Sequence, residues 1–334
     1  MATTVSRTLR VERLATRFSE PLRISGYLFE AMPSVLAQIF DGDLSGRGEA
    51  AGVYYLGDDQ QRMVETIESV RDRIESGLSR AELQDLLPPC GARNAIDCAL
   101  WELHSLECGV PVWKLAGVPC PRPLITTFTL PADEPAVLAE KIERLSFAKA
   151  IKLKLEGDLD LDRERIAVIR RARRDSWLGI DANQGFSAAD LDELARVAHD
   201  FSISLIEQPL KRGDERSLDG WSAGVPVAAD ESILNMAELH ELASYFDVIN
   251  IKLDKCGGLT EALAMAEAAR TLNKKIMVGN MGGSALAMAP AFIIGQLCDV
   301  VDLDGPYALA GNSTADGIYS DGAIFVPEKM WGAP

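Results

Sequence analysis

The sequence predicts an α/β fold: a (β/α)8, TIM-like barrel with an N-terminal α+β capping domain. Three observations point to it. From about residue 123 onward, eight short β-rich runs alternate with helical segments. The residues before 120 follow a different pattern, with long alternating strands and then mostly helix. The glycine signatures of open nucleotide-binding sheets, GxGxxG at a helix start and GxxxxGK[ST], are missing.

In chain order, "TLRVERLATRF" and "SVLAQIFDG" alternate apolar and polar residues as antiparallel strands do. Residues 60 to 110 read as helical. Ser79 and Glu82 have the spacing of a capping box ahead of "LQDLL". "GARNAIDCALWELHSLECG" is a longer amphipathic helix that stops near Gly109, before the proline-rich "GVPCPRP". The expected division is a cap over 1–118, a barrel over 119–310, and a segment over 311–334 that returns to the cap. The barrel strands are "PLITTFTL", "AIKLKL", "WLGIDAN", "SISLIEQP", "VPVAADE", "FDVINIKL", "KIMVGNM" and "DVVDLD". Runs such as "LDRERIAVIRRARR" and "TEALAMAEAARTL" between them repeat apolar residues at helical intervals.

Composition narrows the function. The 334 residues carry 34 basic and 50 acidic side chains, a formal charge of -16, which argues against nucleic acid and against anionic lipid as partners. The first thirty residues hold no apolar run of signal-peptide length, so a cytoplasmic location is expected. "SALAMAPAFIIGQL" is too short to cross a bilayer and reads as a buried helix, so no membrane partner is expected. Six cysteines without a CxxC pair read as small core residues, and three histidines show no ligand spacing. Self-association is left open.

The chemistry lies at the strand ends, where a barrel of this class builds its sites. Asp181 in "GIDANQG", Glu207 in "LIEQPL" and Asp230 in "AADES" end three consecutive strands, 26 and 23 residues apart. Three unneutralised carboxylates side by side would repel one another. A hard divalent cation removes that cost, and all-oxygen ligation suits Mg²⁺ as the cofactor. Lys152 and Lys154 share one face of the second strand, and Lys252 ends the sixth, so closure puts lysines on opposite sides of the mouth. Lysines facing each other across a carboxylate-ligated cation suit removal of an α-proton from a carboxylate substrate and its return on the other face. The product is the epimer.

These motifs together resemble the enolase superfamily, whose use of a Lys or His base with Mg²⁺ is an established pattern. Within it the likeness is to the muconate-lactonising subgroup and its dipeptide epimerases, of the L-Ala-D/L-Glu epimerase type, and it spans nearly the whole chain. The resemblance implies Asp181, Glu207 and Asp230 as metal ligands. It implies Lys154 and Lys252 as the two bases, with Lys152 beside the substrate carboxylate and Lys255 belonging to the turn that follows. It also implies that Asp302 and Asp304 in "DLD" hold the free α-ammonium of a dipeptide substrate, with Asn280 and Met281 of "VGNM" nearby. One departure concerns the cap loop "EPLRISGYLFEAM": Arg23 is present, but Tyr27 and Phe29 are the residues expected to face the substrate side chain, which favours an apolar or aromatic one. The same subgroup contains N-acylamino acid racemases, o-succinylbenzoate synthase and cycloisomerases, and these remain alternatives. A silent carboxylate-binding barrel is disfavoured by the full set of acids and lysines.

Overall fold

The computed structural model describes residues 7–24, 27–311 and 317–333. Its N-terminal sheet is built on β1 (Thr8–Ile24) and β2 (Tyr27–Asp41), a long antiparallel hairpin with a register shift between Arg17 and Leu22, and β3 (Leu44–Ala50) extends it. Both hairpin strands run further than their alternating segments predict. Val35, Ala37 and Ile39 of β2 are buried at period two. Against that sheet lie α1 (Gln60–Ser69), α2 (Arg71–Glu75), α3 (Arg80–Leu86) and α4 (Gly91–Cys108). The Ser79–Glu82 capping box forms at α3, and α4 ends on Gly109 in the left-handed conformation. Helix α4 lies directly on β3 because Gly46 and Gly48 have no side chain there: a Cβ at either would run into the α4 backbone at Ala99 or Ala95.

After α5 (Val112–Leu115) the chain enters the barrel. The run "PLITTFTL" divides at Thr126. Its first part, β4 (Leu124–Ile125), pairs outside the barrel with β14 (Ala323–Ile324) of a C-terminal hairpin completed by β13 (Tyr319–Ser320). Its second part, β5 (Thr127–Leu130), is the first barrel strand, followed by β6 (Ala150–Lys154), β7 (Trp177–Asp181), β8 (Leu205–Glu207), β9 (Val227–Ala229), β10 (Val248–Ile251), β11 (Lys275–Val278) and β12 (Val300–Val301). They form one parallel ladder in sequence order. The covering helices are α6 (Pro135–Arg144), α7 (Leu159–Ala172), α8 (Leu191–Asp200), α9 (Met236–Leu242), α10 (Leu253–Cys256), α11 (Leu259–Thr271) and α12 (Ala285–Gly295). Strict alternation fails after β8, where a short 3-10 turn at 215–218 replaces a helix. Gly213, Gly220 and Gly224 all have positive φ in that stretch and interrupt any longer helix.

Among the described residues no backbone ladder joins β12 to β5. Side chains close the seam instead. Thr126 Oγ1 accepts from Leu303 N at 2.9 Å, Thr127 Oγ1 donates to Asp302, and Thr129 N donates to Asp304 Oδ2 at 2.6 Å. At the far end of the chain Trp331 Nε1 donates to Arg47 O at 2.8 Å, and Arg47 donates back to Met330 O at 2.7 Å. Among the described residues no helix is long and apolar enough to cross a membrane.

Candidate active site

The parallel ladder sets the site's register. Lys154, Asp181 and Glu207 are the last residues of β6, β7 and β8 and are direct partners across the sheet. Asp230 and Lys252 each stand one residue beyond their strands, β9 and β10. Their side chains gather in the mouth, and a cavity of about 140 Å³ opens above them. Lys152, Lys154, Asp230, Lys252, Asn280, Met281, Asp302 and Asp304 line it, joined from the cap by Phe18, Met32, Tyr54 and Tyr55.

Each carboxylate is engaged by a lysine. Lys154 Nζ donates to Asp181 Oδ2 at 2.8 Å and to Asn183 at 3.3 Å. Lys152 Nζ donates to Glu207 Oε2 at 3.3 Å, lies 3.7 Å from Asp181 and forms a close ion pair with Asp302. Lys252 Nζ donates to Asp230 Oδ2 at 2.6 Å. Asn250 Nδ2 donates to Glu207 Oε1 at 2.6 Å. Burial pushes the Glu207 carboxyl up to about 7, and neighbouring Asp181 adds to the effect. Burial acts in the same direction on Asp181 and Asp230 but is outweighed: Lys154 and Lys152 hold Asp181 below the usual carboxylate range, and Lys252 and Lys255 hold Asp230 well below it. Burial works against the Lys252 ammonium, yet Asp230 and Glu207 keep it above its ordinary value. While it is paired with Asp230, Lys252 keeps its proton.

The two acids of "DLD" differ in their surroundings. Asp302 is 2% exposed and already committed to Lys152 and Thr127. Asp304 is more open and accepts one backbone N–H, from Thr129. Burial, with Asp302 next, pushes its carboxyl up to about 6. Asn280 spends its amide on local backbone, donating to Asp302 O at 2.8 Å and accepting from Gly282 N at 2.9 Å.

Three residues needed more than sequence patterns to find. Tyr54 and Tyr55 reach the cavity from the loop after β3. Phe29, expected to face substrate, sits edge-on to Tyr54 with ring centroids 5.2 Å apart. The side chain of Tyr27 lies outside the described residues. Lys255 is the third. Its position in the turn is as expected, but its side chain turns back into the barrel and its ammonium donates to Asp230 Oδ1 at 2.7 Å. Lys252 is the extended residue ahead of α10 and Lys255 lies inside it, so the sequence alone did not show that both ammonium groups meet one carboxylate.

Do these residues suit a divalent cation? Among the described residues no three acidic, His or Cys side chains are set to grip one ion as they stand, since lysine ammonium groups neutralise the carboxylates. The donor chemistry nevertheless fits. Asp181, Glu207 and Asp230 are buried hard oxygen donors on adjacent strands, and the Glu207 carboxyl is raised first by burial and next by the Asp181 carboxylate beside it. Among the described residues, Asn250 Oδ1, Glu231 Oε2 and Tyr55 OH are buried at this site without a hydrogen-bond partner. A hydrated cation would bring donors to such acceptors.

Comparison with known proteins agrees with this geometry. Residues 136–330 match the family model "Enolase C-terminal domain-like". The chain is 35% identical to the L-Ala-D/L-Glu epimerase of Escherichia coli (strain K12), over 83% of this chain and 86% of the relative. It is 34% identical to an N-acetyl-D-glutamate racemase of Pseudoalteromonas sp, over 75% and 79%. The dipeptide epimerase of Methylococcus capsulatus, solved with Mg and the dipeptide L-Arg-D-Lys, superposes with a TM-score of 0.88 at 27% identity, over 96% of this chain and 97% of that one. With the acids and lysines gathered at one barrel mouth, these matches mean that the chain belongs to the enolase superfamily, in its muconate-lactonising and epimerase subgroup.

Proposed function

We propose that this protein is a Mg²⁺-dependent dipeptide epimerase that inverts the Cα of the C-terminal residue by two-base proton transfer. The reading rests on one observation: Lys154 and Lys252, four strands apart in an eight-stranded ring, face the same cavity with buried acids between them. A substrate Cα held between them loses its proton to one ammonium-forming side chain and receives one from the other. Asp181, Glu207 and Asp230 are the residues that would hold Mg²⁺. When bound, the ion supplies positive charge to the substrate carboxylate and to the carboxylates now paired with lysine. Lys152 adds a fixed charge on the same side, anchored by Asp302 and Glu207. Asp304 accepts the substrate's α-ammonium. Phe18, Met32, Tyr54 and Met281 form an apolar wall suited to an apolar or aromatic side chain.

Incubation of an L,L-dipeptide library in D₂O tests the proposal. The expected result is α-deuterated L,D product that forms only with divalent metal present. The match to an N-acetyl-D-glutamate racemase supports one second reading, an N-acylamino acid racemase. Rapid racemisation of N-acyl amino acids with no turnover across the dipeptide library would replace the first reading with the second.

A further inference from the structure

Two lysines converge on one carboxylate, and they do so in different ways. Lys252 Nζ meets Asp230 Oδ2 at 2.6 Å from the cavity side. Lys255 Nζ meets Asp230 Oδ1 at 2.7 Å from behind, and it also donates toward Asp230 O at 2.6 Å, Asn250 O at 3.0 Å and Ile233 O at 3.2 Å. Four acceptors surround an ammonium with three N–H groups. Lys255 is 3% exposed, so its ammonium is shielded from bulk solvent and held by these acceptors. The clamp ties the end of β9 and the loop behind it to the end of β10.

We propose that Lys255 is a positioning residue: the permanent countercation of Asp230, which fixes Oδ1 and leaves Oδ2 as the one oxygen that exchanges between Lys252 and a divalent cation. The inference rests on the metal-dependent reading above. Its logic is electrostatic. A buried carboxylate stripped of every cation is costly, so if Lys252 were its sole partner, Lys252 could not leave to meet substrate. With Lys255 in place, Asp230 stays neutralised whichever group occupies Oδ2. Both lysines come from one helical turn, Lys252 at its start and Lys255 three residues on, so a single local structure supplies the fixed charge and the movable one.

Isothermal titration with Mg²⁺ in the absence of substrate tests this on the full chain, using Lys255→Met, Lys255→Arg and Lys252→Met. Lys252→Met removes only the group that competes for Oδ2, so its Mg²⁺ affinity should equal or exceed that of the parent. Lys255→Met lets the carboxylate turn and makes Lys252 its sole partner, so affinity should fall at least tenfold. Lys255→Arg, which keeps the charge, should recover most of that loss. A role confined to folding would not separate Lys252→Met from Lys255→Met in this way. Parent-like affinity in Lys255→Met, an equal loss in Lys252→Met, or a parent that takes up no Mg²⁺ would each overturn the inference. Should Lys255→Met not fold, the Lys252→Met and Lys255→Arg arms still decide it. A parent that binds Mg²⁺ yet exchanges no dipeptide α-proton in D₂O would count against the epimerase reading and leave this result standing.

Discussion

Asp304→Asn is the sharpest probe of substrate class, because the two acids of the "DLD" strand end are predicted to separate. Asp304 meets the protein through Thr129, whose side chain hydrogen-bonds the carboxylate and whose N donates to Oδ2 at 2.6 Å. An Asn carbonyl oxygen can still accept that bond, so the seam between β12 and β5 survives and only the charge is lost. A hydrogen bond between charged partners is worth about 1.5 to 3 kcal/mol, which makes the loss in kcat/KM on free-amine dipeptides roughly tenfold to 150-fold. N-terminally acetylated dipeptides, poor substrates for the parent, should lose little further. Asp302→Asn should behave differently. Its carboxylate pairs with Lys152 and accepts from Thr127, so neutralising it disturbs Lys152 and lowers turnover of free and acetylated substrates alike. Initial rates with matched free and acetylated dipeptides measure both effects. Unchanged free-amine preference in Asp304→Asn, or the same selectivity profile for both variants, would refute the assignment of the ammonium to Asp304. The pH dependence has a definite sign. With its carboxyl at about 6, Asp304 is protonated below that pH and cannot hold an ammonium, so free-amine selectivity should fall as pH drops through about 6.

Lys154→Ala and Lys252→Ala should each abolish net epimerisation while retaining α-deuterium exchange of one stereoisomer, and the retained stereoisomer should differ between them. Full epimerisation by either variant would contradict a two-base mechanism. Asp181→Asn and Glu207→Gln should weaken Mg²⁺ binding in calorimetry at least tenfold, since each removes a charged oxygen donor at nearly constant size. Asp97, wholly buried on α4, has its carboxyl pushed up to about 6 chiefly by burial. Its folded value lies above the unfolded 3.8, so its stabilising contribution is complete below about 4 and is lost as pH rises through about 6. Asp97→Asn should remove on the order of 3 kcal/mol from the pH dependence of unfolding, read as the difference in urea midpoints between variant and parent across that range.

Much of this architecture was legible because five consecutive barrel strands, β6 to β10, end on an ionisable side chain or one residue before it. "KLKL", "GIDAN", "LIEQP", "AADES" and "NIKLDK" show ionisable groups where a solvated strand end or an apolar core would otherwise be expected, and the ladder places Lys154, Asp181 and Glu207 in direct register. Lys255 escaped because sequence spacing does not reveal which way a turn residue's side chain points. Tyr54 and Tyr55 escaped because loop geometry has no period, so nothing in "VYYLG" says that it hangs over a barrel formed by residues far along the chain. The pairing of Asp302 with Lys152 was also hidden. Both residues were identified, but the seam that brings β12 against β5 is made by side chains that leave no ladder to anticipate.

The position of the cap follows from how the turn after β10 is held. From α4, Arg93 donates to Gly257 O at 3.1 Å and to Cys256 O, and Asp97 accepts from Thr260 N at 2.9 Å. Gly257 and Gly258 have φ of 79° and 121°, and a Cβ on either would strike Arg93 or Asp97, so the two glycines that follow Lys255 allow the cap helix to approach this closely. Asp254, within the same turn, accepts from Ala51 N and Gly52 N at 2.9 Å, just beyond the end of β3. The turn carrying Lys252 and Lys255 is therefore held by α4 and the end of β3 on its outer side and by Asp230 on its inner side. Its stiffness depends on both domains together. Tyr54 and Tyr55, which roof the cavity, leave the cap only a few residues after Gly52, so the segment that anchors the turn also positions the roof. A change that loosens the contact between α4 and this turn would reach the Lys252 side of the cavity before the Lys154 side, because β6 carries Lys154 inside the parallel ladder, where sheet hydrogen bonds hold the backbone without help from the cap.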